Sequence, residues 1–382
     1  MVTSSGKNTD IEALRSIAII FVMIAHSRKL LPDYVPGVGF MGMLQDYFGW
    51  WTGVDLFFCI SGFIITSNLL KYKIEKKDAA GFVSFALPFW VKRMFRLWPA
   101  AWFWLTFVTV ASIFLNKSGI FADPIRNLMY QVYAMLNVAN AYGNVCFNTF
   151  QVTGGDRICG SNLVYWSLAL EEQFYLIFPF IFFFLGKKKT LITVLLIAAI
   201  QIPLNRGGSW LGFIRTDAIS LGVALAIFSS SVLYEKFNPA FLRNRAFAFA
   251  TFWLFTAFLA LLGSSKTVPV GFSTGLIAIV SAIMVWMASF NHDYFTGSRL
   301  TKSISMWIGA RAYSLYLAHI PSYFLIVELA HRYNIHHDNY FANKGYIMLP
   351  VGIATAVFMA EMTHRFIEEP MRRIGREKAK FI

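Results

Sequence analysis

Leu163-Val-Tyr-Trp-Ser-Leu-Ala-Leu-Glu171-Glu-Gln-Phe-Tyr175-Leu-Ile-Phe-Pro-Phe-Ile-Phe-Phe-Phe-Leu185 decides the fold class. A helix crossing the hydrocarbon of a bilayer needs roughly 20 predominantly apolar residues, and this segment has that length. It also places two adjacent carboxylates about two turns into the helix. Charge in lipid is costly and is kept where it faces a cavity or a partner. The stretch therefore poses two questions: how many such spans the chain holds, and what their polar residues do.

Similar apolar runs lie at 11–31, 50–70, 97–115, 190–204, 211–230, 246–263, 268–289, 303–330 and 345–366. With 163–185 they predict an all-α polytopic membrane protein of about ten transmembrane helices. Composition agrees: of 382 residues 57% are hydrophobic and 14% charged, against about a quarter charged in soluble domains. Disorder, coiled coil and a water-soluble globule are excluded. Asn127–Tyr142 carries three asparagines and Gln131, too polar for a span, and reads as an interfacial or re-entrant piece. Basic residues mark the cytoplasmic side of membrane proteins. With both termini cytoplasmic, 22 of the 34 Lys and Arg fall in inside segments. An eleventh span would move Lys187–Lys189 and the basic tail outside. The net charge of +14 is thus assigned to cytoplasmic loops, and no nucleic-acid partner is expected. Residues 1–382 read as one membrane domain, with a long extracytoplasmic loop at 116–162 and a basic cytoplasmic tail at 367–382. The polar leader Met1–Asp10 shows no cleavage site, so the first helix is expected to be retained. Cys59 falls in a span; Cys146 and Cys159 share the long loop, and their pairing is left open.

The polar residues inside spans carry the functional argument. Arg15 and His26 are eleven positions apart, hence about 20° apart around the helix and about 16 Å along it. Asp55 and Ser61 lie in Gly53-Val-Asp-Leu-Phe-Phe-Cys-Ile-Ser-Gly-Phe63, where Gly53 and Gly62 permit close helix contact. Arg93 and Arg96 share a helical face at the entrance to the third span, and forked guanidiniums suit phosphates; a basic-aromatic anchor on anionic lipid is the structural alternative. Glu171 and Tyr175 share a face at i,i+4. Arg215 and Asp217 are expected to neutralise charges elsewhere in the bundle. His319 lies one turn beyond Tyr316. Glu368 and Glu369 read as a solvated helix end before Pro370. Together these residues outline a polar seam from a cytoplasmic phosphate-type clamp to a histidine deep in the membrane.

At this point the chain resembles membrane acyltransferase family 3, multi-span enzymes that O-acylate carbohydrates and related acceptors. The resemblance rests on Ile11-Glu-Ala-Leu-Arg15 with His26, Gly53–Phe63, Arg93-x-x-Arg96, Trp166-Ser-Leu-x-x-Glu171-x-x-Phe-Tyr175, Arg215-x-Asp217 with Gly222, Tyr313–His319 and Phe366-Ile-Glu-x-Pro370. It resembles the stand-alone bacterial members of the inner membrane, many of which modify lipopolysaccharide, exopolysaccharide or lipid-linked oligosaccharide. It implies acetyl-CoA or another short acyl-CoA as donor, a carbohydrate or glycolipid acceptor, and no metal. On that reading Arg15, Arg93 and Arg96 hold the donor. His26 acts as general base or carries the acyl group covalently; an imidazole, with an ordinary pKa of about 6.5, suits proton transfer near neutrality. Glu171 orients His26 or an acceptor hydroxyl, and His319 with Tyr316 meets the sugar or the thioester oxygen. Asp55, Ser61, Tyr175, Arg215 and Asp217 complete the seam. The competing class is a proton-coupled transporter built on the same His, Glu and Arg residues. Against it stands the absence of matching broken helices in two halves.

Overall fold

A computed structural model describes residues 7–31, 37, 39–72, 74, 77–143, 145, 161–206, 210–333 and 345–381. Among the described residues the chain is helical throughout, with no strand. The helices are α1 Thr9–Ser27, α2 Gly39–Tyr47, α3 Gly53–Leu69, α4 Ala79–Phe114, α5 Pro124–Met135, α6 Tyr165–Gln201, α7 Asp217–Ser229, α8 Arg245–Leu262, α9 Ser273–Ser289, α10 Arg299–Ala310, α11 Ala312–Arg332, α12 Gly345–Thr363 and α13 Glu369–Lys378. Several starts are fixed by side-chain caps that accept an orphan backbone N–H. Asn8 accepts from Ile11 (3.0 Å), Asp78 from Gly81 (2.7 Å) and Asp123 from Arg126 (3.0 Å).

The structure redraws several expected spans. The third begins at Ala79 and runs unbroken through Pro88 and Pro99, since prolines are tolerated in membrane helices where neighbours satisfy the freed carbonyls. The runs at 163–185 and 190–204 form one element broken at Gly186, whose φ of 68° and ψ of 174° suit glycine alone. The run at 211–230 is helical only from Asp217, after a 3-10 turn at Trp210–Phe213, so Arg215 lies on the approach to α7. The run at 303–330 splits at Arg311 into α10 and α11. The last continues through a π-helical turn, His364–Glu368, into α13. The segment read as interfacial contains α5, which lies along α4 with Gln131 bonded to Thr106 and Thr109. Cys146 and Cys159 lie outside the described residues.

Among the described residues five stretches are long and apolar enough to cross a membrane: Trp50–Leu69, Ala79–Phe114, Leu211–Ser229, Arg245–Leu262 and Ile347–Lys378. Composition alone does not mark α1, α6 and α11, where charged, histidine and tyrosine residues interrupt the apolar run. Large apolar side chains stay exposed along the outer helix faces, among them Phe114, Phe184, Leu196, Phe249, Leu254 and Phe358. A belt of that kind needs lipid around it.

Lipid is as apolar as a protein core, so membrane helices associate through close packing more than through hydrophobic expulsion. Glycines set that packing here. A Cβ on Gly222 would lie 2.1 Å from the Cys59 carbonyl oxygen, and one on Gly62 2.2 Å from that of Ile219, so α3 and α7 cross backbone to backbone. Gly53 faces the Ala18 oxygen of α1 in the same way, at 2.4 Å. Gly222→Ala must push these helices apart and is expected to cost about 1–3 kcal/mol. A lowered melting temperature in detergent is the readout; an unchanged one would mean the crossing is not tight.

Candidate active site

The helices enclose a cavity of about 430 Å³ that opens beside Lys7, Lys71 and Arg372 and reaches inward to Glu171, Ser167 and Tyr316. Arg93 and Arg96, one turn apart on α4, line its wall. The Arg93 guanidinium lies against the rings of Phe89 (5.6 Å) and Tyr175 (5.3 Å). The buried Nε of Arg96 has no hydrogen-bond partner. Among the described residues neither guanidinium pairs with a carboxylate. Arg15 also lines the cavity, but its Nη1 lies 3.0 Å from Glu12.

Deeper in, one oxygen of Glu171 accepts from both the Ser61 and the Tyr175 hydroxyls. Glu172, a step of about 100° further around α6, turns away from the cavity and accepts from the Trp98 indole at 2.9 Å. The cavity ends at a pair of hydroxyls. Tyr316 donates to the Val164 carbonyl (2.8 Å) and lies 2.6 Å from the Ser167 oxygen.

Beyond Tyr316, and not lining the cavity, His319 meets His26: His319 Nε2 lies 3.2 Å from His26 Nδ1. A carbonyl oxygen only accepts, so the neighbouring carbonyls fix both tautomers. His319 Nδ1 carries a proton and donates to Tyr316 O at 2.7 Å, with Leu315 O at 3.2 Å. His26 Nδ1 carries one too, donating to Val22 O at 2.9 Å and sharing it with the bare Nε2 of His319. The lone pair of His26 is thereby on Nε2. His319 is fully buried, whereas His26 is partly exposed.

The family with an acyltransferase-domain model matches residues 8–360. The chain belongs to that family. Its relatives include the peptidoglycan O-acetyltransferase OatA of Listeria monocytogenes, 28% identical over 96% of this chain and 56% of the relative. The O-acetyltransferase OatA of Staphylococcus aureus strain NCTC 8325 is 27% identical over 97% of this chain and 58% of the relative. The chain thus spans a little over half the length of the curated relatives it matches. No solved structure matches it. With its belt of apolar helices, it is a multi-pass membrane protein.

The structure divides the expected seam into three groups. Arg15, Arg93, Arg96, Ser61, Glu171, Tyr175 and Tyr316 meet at the cavity. His26 and His319 form the pair beyond it. Asp55, Arg215 and Asp217 belong to a separate buried cluster. There Arg215 lies 3.3 Å from Asp55 between the rings of Trp51 (4.8 Å) and Trp166 (5.0 Å). Asp217 takes a two-pronged contact from Arg206, at 2.9 and 2.5 Å. Three expectations are corrected. Among the described residues Glu171, expected to orient His26 or an acceptor hydroxyl, bonds Ser61 and Tyr175 and not His26, which meets His319 instead. His319 has no exposed surface with which to meet a sugar. Glu368 is not solvated: it is buried, accepting from Ser314 (2.7 Å) with His364 Nδ1 at 3.1 Å.

No spacing in the sequence marks Arg206, although a buried Asp217 requires some such partner. Nor does any spacing reveal the place of Ser167 opposite Tyr316. Lys7, Lys71 and Arg372 were counted only as positive-inside charges.

Proposed function

We propose that this acyltransferase moves an acetyl or other short acyl group from acyl-CoA, bound in the cavity, to a hydroxyl of a carbohydrate acceptor, with His26 as general base. The observation that carries the reading is the cavity itself. Two guanidiniums without carboxylate partners among the described residues line it, and it ends one side chain short of the partly exposed His26 imidazole. Unpaired forked cations on a cavity wall suit phosphate oxygens, and the pocket size suits a small-molecule arm.

In the reaction, His26 Nε2 takes the proton from the acceptor hydroxyl as its oxygen attacks the thioester carbonyl carbon. The C–S bond breaks, and the leaving thiolate recovers the proton to give free CoA. His319 is a positioning residue: it holds His26 Nδ1 and keeps the lone pair on Nε2. Because the cavity ends at Tyr316 and Ser167, the acyl carbon reaches His26 only when those two hydroxyls part.

A ten-span arrangement with both termini cytoplasmic is part of this proposal, and it would let the donor enter from that side. Local contacts between helix ends support that arrangement. Thr9, Asp293 and Lys302 bond at one end, while Asp46 with Lys266, and Lys117 and Ser118 with Glu328, bond at the other. The name of the Listeria relative favours a cell-wall glycan as acceptor over the lipopolysaccharide, exopolysaccharide or lipid-linked glycans of the general resemblance.

Calorimetric titration of the detergent-purified chain with acetyl-CoA tests the reading. Micromolar binding, followed by acetyl transfer to a glycan fragment, is expected. A well-folded sample that binds no acyl-CoA would shift the weight to a proton-coupled transporter, which needs no such donor.

A further inference from the structure

The C-terminal segment lies beyond the stretch matched to the family, which stops at residue 360, yet it completes the cavity. Buried Glu368 pins the π-helical turn His364–Glu368 to Ser314 of α11. From that anchor α13 runs back across α4. Gly375 packs so closely that a Cβ there would lie 2.5 Å from the Phe95 Cβ, and the Lys378 ammonium lies over the same ring at 5.2 Å. Phe95 is the neighbour of Arg96. The docking therefore brings Arg372 of α13 to the cavity, where it joins Lys7, before α1, and Lys71, after α3.

These three cations differ in placement from Arg93 and Arg96. They come from helix ends and the terminal helix, at the mouth, while the α4 pair lines the wall towards Glu171 and Tyr316. Arg372 contacts Glu369 on its own helix, but its buried Nε has no hydrogen-bond partner. The charge of the group is felt at Lys7. Partial burial lowers its ammonium pKa below the ordinary lysine value; Glu12 opposes that shift, and Arg15, Arg372 and Arg96 add to it. A rim with this surplus of positive charge suits an anion more highly charged than a diphosphate alone.

We propose that Arg372, with Lys7 and Lys71, holds the 3′-phosphate of a coenzyme A donor at the cavity mouth, while Arg93 and Arg96 take the diphosphate. The assignment rests on the acyl-CoA reading above. In an extended coenzyme A whose thioester points inward to Tyr316, the diphosphate lies part-way along and the 3′-phosphate is among the outermost groups. The wall pair and the rim group then meet them in that order. The proposal makes the terminal helix part of the donor site and makes the protein selective for the phosphorylated nucleotide over its 3′-dephospho form.

The test is titration of the full chain in detergent with coenzyme A and with 3′-dephospho-coenzyme A. The wild type is expected to prefer coenzyme A by about tenfold, the scale of one charge-assisted contact. Arg372→Ala should lose that preference while binding the dephospho form as the wild type does, and Arg372→Lys should restore part of it. Arg373→Ala, whose side chain is 69% exposed and does not line the cavity, should keep it and controls for general charge loss. A wild type without preference, a preference that survives in Arg372→Ala, or an equal loss for both ligands in that variant would each overturn the assignment while leaving the acyl-CoA reading in place. A wild type that binds neither ligand would overturn both.

Discussion

Replacing His26 by alanine is expected to lower acyl transfer by about 10²–10⁴-fold, the contribution typical of a positioned general base, without loss of folding. Among the described residues His26 supplies no ion pair, and its hydrogen-bond contacts are a carbonyl on its own helix and the His319 ring. The variant should therefore insert, purify as a single species and bind acyl-CoA with wild-type affinity, because His26 does not line the donor cavity. Single-turnover transfer from labelled acetyl-CoA to a glycan acceptor reads the chemical step directly. Wild-type turnover in a folded His26→Ala protein would remove the base from the mechanism, and some other group would have to accept the hydroxyl proton.

The second large effect is expected on the donor. Hydrogen bonds from a cation to a phosphate contribute about 1.5–3 kcal/mol each, and about 1.4 kcal/mol is tenfold in affinity. Arg93→Ala combined with Arg96→Ala should thus weaken acyl-CoA binding on the order of a hundredfold or more. The effect belongs in donor KM, with kcat at saturation little changed, since neither guanidinium touches the histidine pair. The fold should tolerate the change: neither arginine is half of a buried ion pair among the described residues, unlike Arg206 or Arg215. Unchanged acyl-CoA binding in the double variant would return the pair to the role of a basic-aromatic anchor on anionic lipid.

The two variants separate because the site is built in two compartments. On the proposed mechanism the cavity supplies the charge that binds the donor, and the histidine pair takes the proton. Tyr316 touches both, its hydroxyl closing the cavity against Ser167 and its carbonyl fixing the His319 tautomer. Eleven residues of helical spacing put Arg15 and His26 on one face of α1, and the structure uses that face twice, Arg15 in the cavity wall and His26 beyond its end.

What the sequence by itself determined follows from local rules. Span length and apolarity are properties of contiguous residues, so the helical membrane character was readable from runs such as 50–70 and 246–263, as was the sharing of a face by Arg93 with Arg96 and Glu171 with Tyr175. Helix breaks inside apolar runs were less legible. At Gly186 one left-handed residue redirects the chain, and at Arg311 the backbone leaves the helical region while the hydropathy continues.

Only the tertiary structure decided partners. Arg215 and Asp217 are two residues apart, yet one pairs with Asp55 of α3 and the other with Arg206, because Arg215 precedes α7 and Asp217 opens it. The His319 ring, and not Glu171, meets His26, and Arg372 reaches the cavity from the far end of the chain. Such pairings depend on which helix faces meet, and close approach at Gly62, Gly222 and Gly375 fixes those faces. The free energy of a buried charge or a fixed tautomer lies in contacts between segments hundreds of residues apart, and spacing along one helix carries no record of them.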